Sequence, residues 1–256
     1  MIFDNVNHIH FVGIGGFGLS AIARVLLERG YAVSGSDRVV NDLAIALEAD
    51  GAQIFTGQSA PNIDGADVVI RSSAVPDDNP EVEAARAQQI PVYKRSDVLA
   101  HLMGERRVIA VAGTHGKTTT TAMVTHLLIE TGQAPGYIVG GVMANTGTNA
   151  ADGTGESFVI EADEYDNAFL GLYPELAIVT NVEWDHPDFF KSPEDLKKSF
   201  QAFVGRLHRD HGILLACADD PGARGIADAR KAQRRLTFTY GVENDEATLT
   251  ARDLRT

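Results

Sequence analysis

The stretch that decides the fold is Val108-Ile109-Ala110-Val111-Ala112-Gly113-Thr114-His115-Gly116-Lys117-Thr118-Thr119. An apolar run ends in a glycine-rich turn, and a helical pattern follows from Lys117 onward. Backbone amides of such a turn wrap phosphates, the lysine ammonium reaches the terminal phosphates, and the next hydroxyl ligates magnesium. The sequence therefore predicts a phosphate-binding loop, whose residues are Gly113, Thr114, His115, Gly116, Lys117, Thr118 and Thr119.

Lys117 also has an ordinary interpretation, as a solvated residue at the start of a helix. A cation in the first helical turn opposes the helix dipole unless an anion lies there, so phosphate binding is the better explanation. The loop departs from the commonest phosphate-loop pattern because Val111 stands where a first glycine is usual. We therefore expect a shorter loop, with Gly113 as its first glycine.

Around this loop, short β-branched runs alternate with helical stretches of roughly 10–15 residues, a pattern typical of parallel sheets covered by helices. The predicted fold class is therefore α/β. A polar break at residues 104–106 separates two halves, each of which opens with a strand, a glycine-rich turn and a helix. The predicted domains are a Rossmann-like domain over residues 1–105 and a P-loop nucleotide-binding domain over residues 106–256.

The periodicity also predicts where the individual elements lie. In the first half, strands are expected at His8–Val12, Ala32–Gly35, Asp67–Arg71 and Pro91–Tyr93, with helices at Gly18–Glu28, Asp42–Ala49, Pro80–Gln88 and Ser96–Met103. In the second half, strands are expected at Arg107–Ala112, Gly136–Val139, Ser157–Ala162, Glu175–Thr180, Gly212–Ala216 and Arg235–Thr239, with helices at Lys117–Glu130, Pro193–Leu207 and Pro221–Lys231. The final segment, Ala247–Thr256, has the pattern of a further strand at its start.

The first half contains its own glycine-rich turn, Gly13-Ile14-Gly15-Gly16-Phe17-Gly18, between a predicted strand and a predicted helix. Glycines at positions such as Gly15, Gly16 and Gly18 let backbone N–H groups approach a diphosphate. Asp37 follows at the end of the next strand, where an acidic residue commonly binds a ribose hydroxyl. The simpler alternative is that the glycines only allow close packing while Asp37 caps a loop.

Two adjacent hydroxyls, Ser72 and Ser73, follow another apolar strand of the first half. Ligands of open α/β sheets bind at the carboxyl ends of the strands, so both side chains are candidates for contacts to a nucleotide. Helix capping, or a turn before Pro76, explains these serines equally well on local chemistry.

In the second half, an acidic stretch comes at the end of a strand and reads Glu161-Ala162-Asp163-Glu164-Tyr165-Asp166. Carboxylates this close repel each other unless a cation or solvent relieves them. A hard divalent ion is the economical explanation, and Glu161 is the residue nearest the strand.

The next strand end carries Thr180-Asn181-Val182-Glu183-Trp184-Asp185-His186-Pro187-Asp188. His186 is either an ordinary turn or core residue or a ligand, and its place at the same sheet edge as Lys117 and Glu161 favours a ligand or catalytic role. Asp185 and Asp188 are candidates to orient its imidazole. Asn181 is a further candidate for nucleotide binding.

Composition narrows the class of function. Lys and Arg total 22 against 35 for Asp and Glu, so the formal charge is −13, which argues against nucleic acid as the main partner. The apolar runs are too short for a bilayer span, and no basic segment precedes an apolar one, so we expect a cytoplasmic protein with no membrane partner. A single cysteine, Cys217, fits a reducing compartment. The oligomeric state is left open by the sequence.

Taken together, these motifs resemble the ATP-dependent Mur ligases of bacterial cell-wall synthesis. The match rests on six segments in family order, at Gly13–Ser20, Gly35–Asp37, Ser72–Val75, Gly113–Thr120, Glu161–Asp166 and Thr180–His186. Gly16 and Leu19 favour the branch that acts on L-alanine over the branch that recycles murein tripeptide.

The resemblance implies roles for the candidate residues. The first domain would hold UDP-N-acetylmuramate through Gly15, Gly16, Gly18, Asp37, Ser72 and Ser73. The second would bind ATP through the phosphate loop and Asn181, and Mg²⁺ through Thr118, Glu161 and His186. Lys117, Glu161 and His186 would be the catalytic residues, with the lysine neutralising charge on the γ-phosphate. The implied reaction joins L-alanine to the lactyl carboxylate of UDP-N-acetylmuramate through an acyl phosphate, with release of ADP and phosphate.

The resemblance has two departures. Many relatives have Asn where this chain has Cys217, and the family has a third, C-terminal domain that this sequence lacks. We therefore expect the chain by itself to bind ligands without completing ligation. Outside the family, an NAD-dependent oxidoreductase using the first glycine-rich turn stays an alternative, as does a non-catalytic nucleotide-binding module. The oxidoreductase alternative leaves the phosphate loop, Glu161 and His186 without a role.

Overall fold

The structure is a computed structural model that describes residues 2–253. Its strands in chain order are β1 (His8–Val12), β2 (Ala32–Asp37), β3 (Gln53–Thr56), β4 (Val68–Arg71), β5 (Val92–Lys94), β6 (Arg107–Ala112), β7 (Gly136–Ile138), β8 (Ala150–Ala151), β9 (Ser157–Glu161), β10 (Leu176–Val179), β11 (Ile213–Cys217), β12 (Thr237–Gly241) and β13 (Leu249–Thr250). The α-helices are α1 (Phe17–Glu28), α2 (Asp42–Ala49), α3 (Pro80–Ala87), α4 (Arg95–Met103), α5 (Lys117–Glu130), α6 (Pro193–Gly205) and α7 (Pro221–Ala232). The predicted α/β class with mostly parallel sheets is confirmed.

The chain divides into two compact units that interleave along the sequence. One runs up to Gly104 and also includes Gly136–Thr154, and the other combines Glu105–Pro135 with the chain from Gly155 onward. The sequence analysis drew one boundary, between residues 105 and 106, and the structure adds an excursion of the chain back into the first unit. The return of the chain to the first unit depends on tertiary contacts, so a pattern of short strands in the sequence does not reveal it.

The first unit contains a parallel sheet with strand order β3-β2-β1-β4-β5. The chain moves outward from β1 to β2 and β3 and then crosses to β4 on the other side. In open α/β sheets this change of direction leaves a crevice at the carboxyl ends of the central strands, where ligands bind. The turns after β1 and β4 therefore meet at one edge of the sheet. β3 was not among the predicted strands.

The returning segment joins the first unit through β7, β8 and the loop between them. β7 and β8 pair in antiparallel register. Asn149 is buried, and its Nδ2 donates hydrogen bonds to Phe17 O and Ser20 Oγ, each at 3.3 Å. The Arg29 guanidinium contacts Asp152 at 2.7 Å. Side-chain contacts to α1 therefore hold this segment, and β8, only two residues long, was not predicted.

In the second unit, the strands pair in parallel in the order β13-β12-β11-β10-β6-β9. β6 is central, with β10 on one side and β9 on the other. The register pairs Val111 with Glu161 and Ala112 with Val179, so three strands end at the same level. The turns that follow β6, β9 and β10 are thereby brought to one edge.

Three helices begin with the same local signal, a capping residue followed by proline. Asn79, Ser192 and Asp220 accept hydrogen bonds from the first backbone N–H groups of α3, α6 and α7. Proline suits the first helical position because its fixed φ is helical and its missing N–H has no helical partner. The predicted starts at Pro80, Pro193 and Pro221 are therefore confirmed.

At the end of the chain, the predicted strand over Ala247–Thr256 is confirmed only for β13, and residues 254–256 lie outside the described residues. Over residues 2–253, the search for a helix long and apolar enough to cross a bilayer finds none.

A buried polar network lies beneath the central strands of the first unit, with Glu81 at its centre. Glu81 is fully buried in the first turn of α3. Its Oε2 accepts a hydrogen bond from Ser36 Oγ at 2.5 Å and lies 3.6 Å from His10 Nε2. Its Oε1 accepts hydrogen bonds from Asn62 Nδ2 at 2.6 Å and Ser59 N at 3.2 Å. The carboxylate thus joins β1, β2, α3 and the turn after β3.

The pKa of Glu81 lies below its ordinary value. Burial opposes ionisation, but the nearby His10 imidazole and the hydrogen bonds from Ser36 and Asn62 together outweigh that penalty. A carboxylate whose pKa is lower in the folded state stabilises the fold above its unfolded pKa. That contribution is lost as the pH falls through the folded-state pKa.

We predict that Glu81→Gln lowers the free energy of unfolding by about 1–3 kcal/mol near neutral pH, because an amide offers one acceptor oxygen where the carboxylate offers two. The difference from wild type should shrink as the pH falls below the ordinary carboxyl value of 4.5, where the wild type loses the same contribution. Urea unfolding followed by circular dichroism at several pH values measures both quantities. Glu83→Gln, at an exposed position of the same helix, is the control and should change little. A loss that stays constant down to strongly acidic pH would contradict the assignment.

Candidate active site

The first unit contains a cavity of about 270 Å³ at the edge where the turns after β1 and β4 meet. Its lining residues come from four turns: Gly13, Gly16, Asp37, Arg38, Gln58, Ser72, Ala74 and Val75. Three residues proposed from sequence as ligand contacts, Gly16, Asp37 and Ser72, are among them. Arg38 and Gln58 were not proposed from sequence, because their place depends on where the strands end.

The glycine-rich turn of this cavity is held by side chains of the neighbouring strand end. Gly15 N donates to Asp37 Oδ2 at 2.9 Å, and Gly15 O accepts from Asn41 Nδ2 at 2.9 Å. An added Cβ at Gly15 would lie 2.9 Å from Asp37 Oδ2, so a side chain there would displace Asp37 from its contact with the turn. Asp37 therefore orients the turn.

The remaining residues proposed for this site lie at its margin. Gly15 and Gly18 are not among the lining residues, and a Cβ at Gly18 would meet the side chain of Arg95. Ser73 is exposed and also lies outside the lining set. Ser72 Oγ accepts a hydrogen bond from Ala74 N at 3.3 Å, which is a turn contact of the kind that the local chemistry allowed.

In the second unit, the phosphate loop lies between β6 and α5, and left-handed glycines shape it. Gly116 has φ +77°, and Gly113 has φ +148° with Thr180 packed against its α-carbon. A side chain at Gly113 would overlap Thr180 Oγ1. Glycine at both positions lets the backbone turn from the strand into the helix N-terminus, where a phosphate is favoured.

Lys117 lies at the first position of α5 and is tied to the loop that it belongs to. Its Nζ donates to Gly113 O at 2.7 Å and to Thr114 O at 3.1 Å. The same Nζ donates a hydrogen bond to Glu164 Oε1 at 3.0 Å and lies 3.0 Å from Glu164 Oε2. The ammonium is therefore held beside the loop amides, and Glu164, which is 1% exposed, is its counter-ion.

Glu164 is the residue that the sequence analysis did not single out. Burial raises its pKa above the ordinary value, although the Lys117 ammonium opposes that shift. Its Oε1 also lies 3.5 Å from His186 Nε2. Glu164 thus connects the lysine to the histidine. Within a run of acidic residues, the sequence does not indicate which carboxylate turns inward.

His186 lies in the turn after β10, in the left-handed region with φ +54°. Its backbone N donates to Asp185 Oδ1 at 2.7 Å, and this hydrogen bond lowers the pKa of the Asp185 carboxyl. The Tyr165 ring packs edge-on against the imidazole, with 5.2 Å between the two ring centroids. The Tyr165 hydroxyl donates a hydrogen bond to Asp188 Oδ2 at 2.9 Å. Side chains from two strand ends therefore surround the imidazole.

Thr118 and Glu161 form the oxygen pair nearest to the loop. Thr118 Oγ1 donates to Glu161 Oε1 at 3.1 Å. Over the described residues, no group of three or more His, Cys, Asp or Glu side chains is arranged to hold a metal ion. A hydroxyl and one carboxylate are nevertheless a suitable donor set for Mg²⁺, which keeps several waters and takes further ligands from substrate phosphates. The residues present therefore fit such an ion at Thr118 and Glu161.

The turn after β10 is also bonded directly to the phosphate loop. Asn181 Oδ1 accepts from His115 N at 2.8 Å, and Thr180 Oγ1 donates to His115 O at 2.6 Å. Thr114 Oγ1 donates to Glu183 O at 2.8 Å and accepts from Glu183 N at 3.0 Å. Asn181 therefore fixes the shape of the loop in this structure. Thr119 lies exposed in the first turn of α5.

Two family models match the chain. The Mur ligase family, catalytic domain, matches residues 8–107, and the Mur ligase middle domain matches residues 111–256. The UDP-N-acetylmuramate–L-alanine ligase of Arthrobacter sp. (strain FB24) is 46% identical over 94% of this chain and 52% of that protein.

Solved structures give the same result. The UDP-N-acetylmuramate-alanine ligase of Thermotoga maritima has a TM-score of 0.81 at 33% identity, over 93% of this chain and 53% of that one. The UDP-N-acetylmuramate:L-alanyl-gamma-D-glutamyl-meso-diaminopimelate ligase from Neisseria meningitides has a TM-score of 0.83 at 29% identity, over 92% and 78%. The chain spans about half the length of the curated relatives it matches.

The resemblance drawn from the motifs is thus confirmed by matches that together cover nearly all of the sequence. Both glycine-rich turns fall within the matched ranges, as do the acidic stretch and the turn that carries His186. This chain belongs to the Mur ligase family.

Proposed function

We propose that this chain forms the nucleotide-binding units of an ATP-dependent ligase that joins L-alanine to the lactyl carboxylate of UDP-N-acetylmuramate in peptidoglycan synthesis. The observation that carries the proposal is the arrangement around Lys117, where a phosphate loop, a buried carboxylate and a histidine lie together. Relatives named for this activity, at 43–48% identity, support the choice of substrates.

The proposed reaction requires a positive electrostatic potential at the site. The lactyl carboxylate attacks the γ-phosphorus of ATP, ADP leaves with the electrons of the broken P–O bond, and an acyl phosphate forms. The amine of L-alanine then attacks the acyl carbon, inorganic phosphate leaves, and the nitrogen loses a proton. The first step brings two anions together in a chain whose net charge is −13. Positive potential must therefore come from groups at the site itself.

The proposed roles follow from the contacts. Lys117 and the N-terminus of α5 bind the terminal phosphates, with the loop Gly113–Thr119 around them. Glu164 holds the Lys117 ammonium and the His186 imidazole at fixed positions. Thr118 and Glu161 would hold Mg²⁺, which neutralises phosphate charge when bound. His186 as a ligand of a second ion stays a prediction, because its Nε2 faces Glu164 in this structure.

In the first unit, the proposed ligand is the uridine diphosphate part of the sugar nucleotide. The cavity is lined by the glycine-rich turn and by Asp37 and Ser72, which provide backbone donors, a carboxylate and a hydroxyl. We also retain Gly15, Gly18 and Ser73 as proposed contacts that depend on movement of the turn when a ligand binds. A cytoplasmic location, with neither nucleic acid nor membrane as a partner, belongs to the same proposal.

A second candidate function is attachment of murein tripeptide to the same sugar nucleotide. It is favoured by the similarity to the Neisseria ligase, which is named for that peptide. The higher identity to L-alanine ligases supports L-alanine. The assay measures phosphate release by a full-length ligase that contains this sequence, supplied with ATP and UDP-N-acetylmuramate. Adding either L-alanine or tripeptide distinguishes the two functions. Release with tripeptide only would overturn our choice.

We predict that the thermal midpoint of the chain rises with UDP-N-acetylmuramate and, separately, with Mg-ATP, but not with NAD. A ligand that binds only the folded state at about 100 times its dissociation constant adds roughly 2.7 kcal/mol of stability. Differential scanning fluorimetry with each ligand in turn measures the shift. A rise with NAD and with neither of the other ligands would contradict the proposal and restore the oxidoreductase alternative.

We further predict that Lys117→Ala weakens Mg-ATP binding by about tenfold to a hundredfold, since it removes a charged hydrogen-bond donor from the phosphates. Trp184, the single tryptophan, follows Glu183, which is bonded to the loop, so its fluorescence reports occupancy. Titration of Trp184 fluorescence with Mg-ATP measures the affinity. Lys198→Ala, at an exposed position on α6, is the matched control. Unchanged binding in folded Lys117→Ala would refute the role of the lysine.

A further inference from the structure

Gln58 lies in the turn after β3 and lines the cavity of the first unit. Its Oε1 accepts a hydrogen bond of 2.7 Å from Asn79 Nδ2. Within residues 2–253, no acceptor for Gln58 Nε2 is found. Because that amide nitrogen is also not among the buried polar atoms that lack a partner, it is exposed to solvent, and Gln58 lines the cavity.

The direction in which Gln58 presents its amide is fixed by a chain of hydrogen bonds that starts in the backbone of α3. Asn79 caps this helix, and its Oδ1 accepts from Glu81 N at 2.9 Å and Val82 N at 3.4 Å. Asn79 must therefore turn its NH₂ group toward Gln58. That group can only donate, so Gln58 must offer its carbonyl oxygen to Asn79 and keep its own NH₂ for the cavity.

The turn that carries Gln58 is itself held by the Glu81 carboxylate. Glu81 Oε1 accepts from Ser59 N and Asn62 Nδ2, and Asn62 Nδ2 also donates to Gly57 O at 3.1 Å. Residues on both sides of Gln58 are therefore anchored to one buried group. The amide of Gln58 is held in place before any ligand arrives, which reduces the entropy lost on binding.

We infer that Gln58 is a specificity-determining hydrogen-bond donor of the nucleotide site, and that Asn79 is the positioning residue that sets its direction. The inference rests on the proposed binding of a uridine diphosphate group in this cavity. The donor recognises an acceptor oxygen of that group, either a carbonyl of the base or a phosphate oxygen. A ligand that presents a donor at the same place is rejected, because two N–H groups would then face each other without an acceptor.

Two variants test the inference on the full chain, with UDP as the probe and isothermal titration calorimetry as the measurement. Gln58→Glu keeps the acceptor for Asn79 and places an acceptor where the donor faced the cavity. Asn79→Asp keeps the helix cap, at which Asp is as good as Asn. It also removes the NH₂ group that Gln58 accepts from. Gln58 should then turn its own NH₂ toward the new carboxylate and present its carbonyl to the cavity. We expect each variant to weaken UDP binding by about tenfold or more.

The control accounts for the change in the net charge of the chain. Gln53→Glu adds the same charge at an exposed position on β3 and should bind UDP as the wild type does. Wild-type affinity in Asn79→Asp would overturn the positioning role, and wild-type affinity in Gln58→Glu would overturn the whole inference. A wild-type chain that fails to bind UDP would overturn the proposed function of this unit as well, so the two failures are distinguishable.

CDP and UMP as further probes identify the acceptor oxygen. If Gln58 contacts the O4 carbonyl of the base, which cytosine replaces with an amino group, the wild type prefers UDP to CDP, and Gln58→Glu loses most of that preference. If it contacts the O2 carbonyl or a phosphate, the loss in Gln58→Glu is the same for UDP and CDP, and it is smaller for UMP when the terminal phosphate is the partner. Either pattern supports a donor at Gln58. If Gln58→Glu binds each of the three probes as tightly as the wild type does, the assignment of a donor at Gln58 is wrong.

Discussion

The ion pair between Lys117 and Glu164 joins the two parts of the second unit's site. The lysine opens α5, and the glutamate follows β9, so the pair forms only if β6 and β9 end at the same level. Placing a nearly buried carboxylate next to an ammonium involves a desolvation penalty that their mutual attraction offsets only in part, since the pKa of Glu164 is still raised. Removing one partner of such a pair leaves the other charge buried without compensation. The pair therefore makes the register of the sheet and the geometry of the loop depend on each other.

The proposed function requires a site for phosphate groups in each unit, and the two units would provide it by different means. The second unit combines a lysine with left-handed glycines and a helix N-terminus. The first unit lines its cavity with a glycine-rich turn that Asp37 and Asn41 hold from the side. In each turn, one glycine lies where an added Cβ would meet a neighbouring side chain, Gly15 against Asp37 and Gly113 against Thr180. A strongly acidic chain can bind polyphosphates in this way because the favourable field is confined to a few ångströms around each turn.

Much of this could be read from the sequence, because the relevant signals are local. β1, β6, α2 and α5 have the predicted bounds, since apolar runs, capping residues and glycine turns mark them without help from the rest of the chain. β3 and β8 were missed, since one is a partly buried edge strand and the other has two residues. Glu164 and Gln58 were missed for another reason. Their importance depends on partners far along the chain, Lys117 and Asn79, which no local pattern identifies.

The excursion of Gly136–Thr154 into the first unit affects how that unit can be isolated. A polypeptide cut after Gly104 would end before β7 and β8 and would leave Ser20 without Asn149, its buried partner. The side of α1 that residues 136–154 cover in the intact chain would then be exposed to water. An independently folding version of this lobe would need both pieces joined in one gene by a linker in place of residues 105–135. Limited proteolysis at the three crossing points would leave the two pieces of the first unit as separate fragments that stay associated.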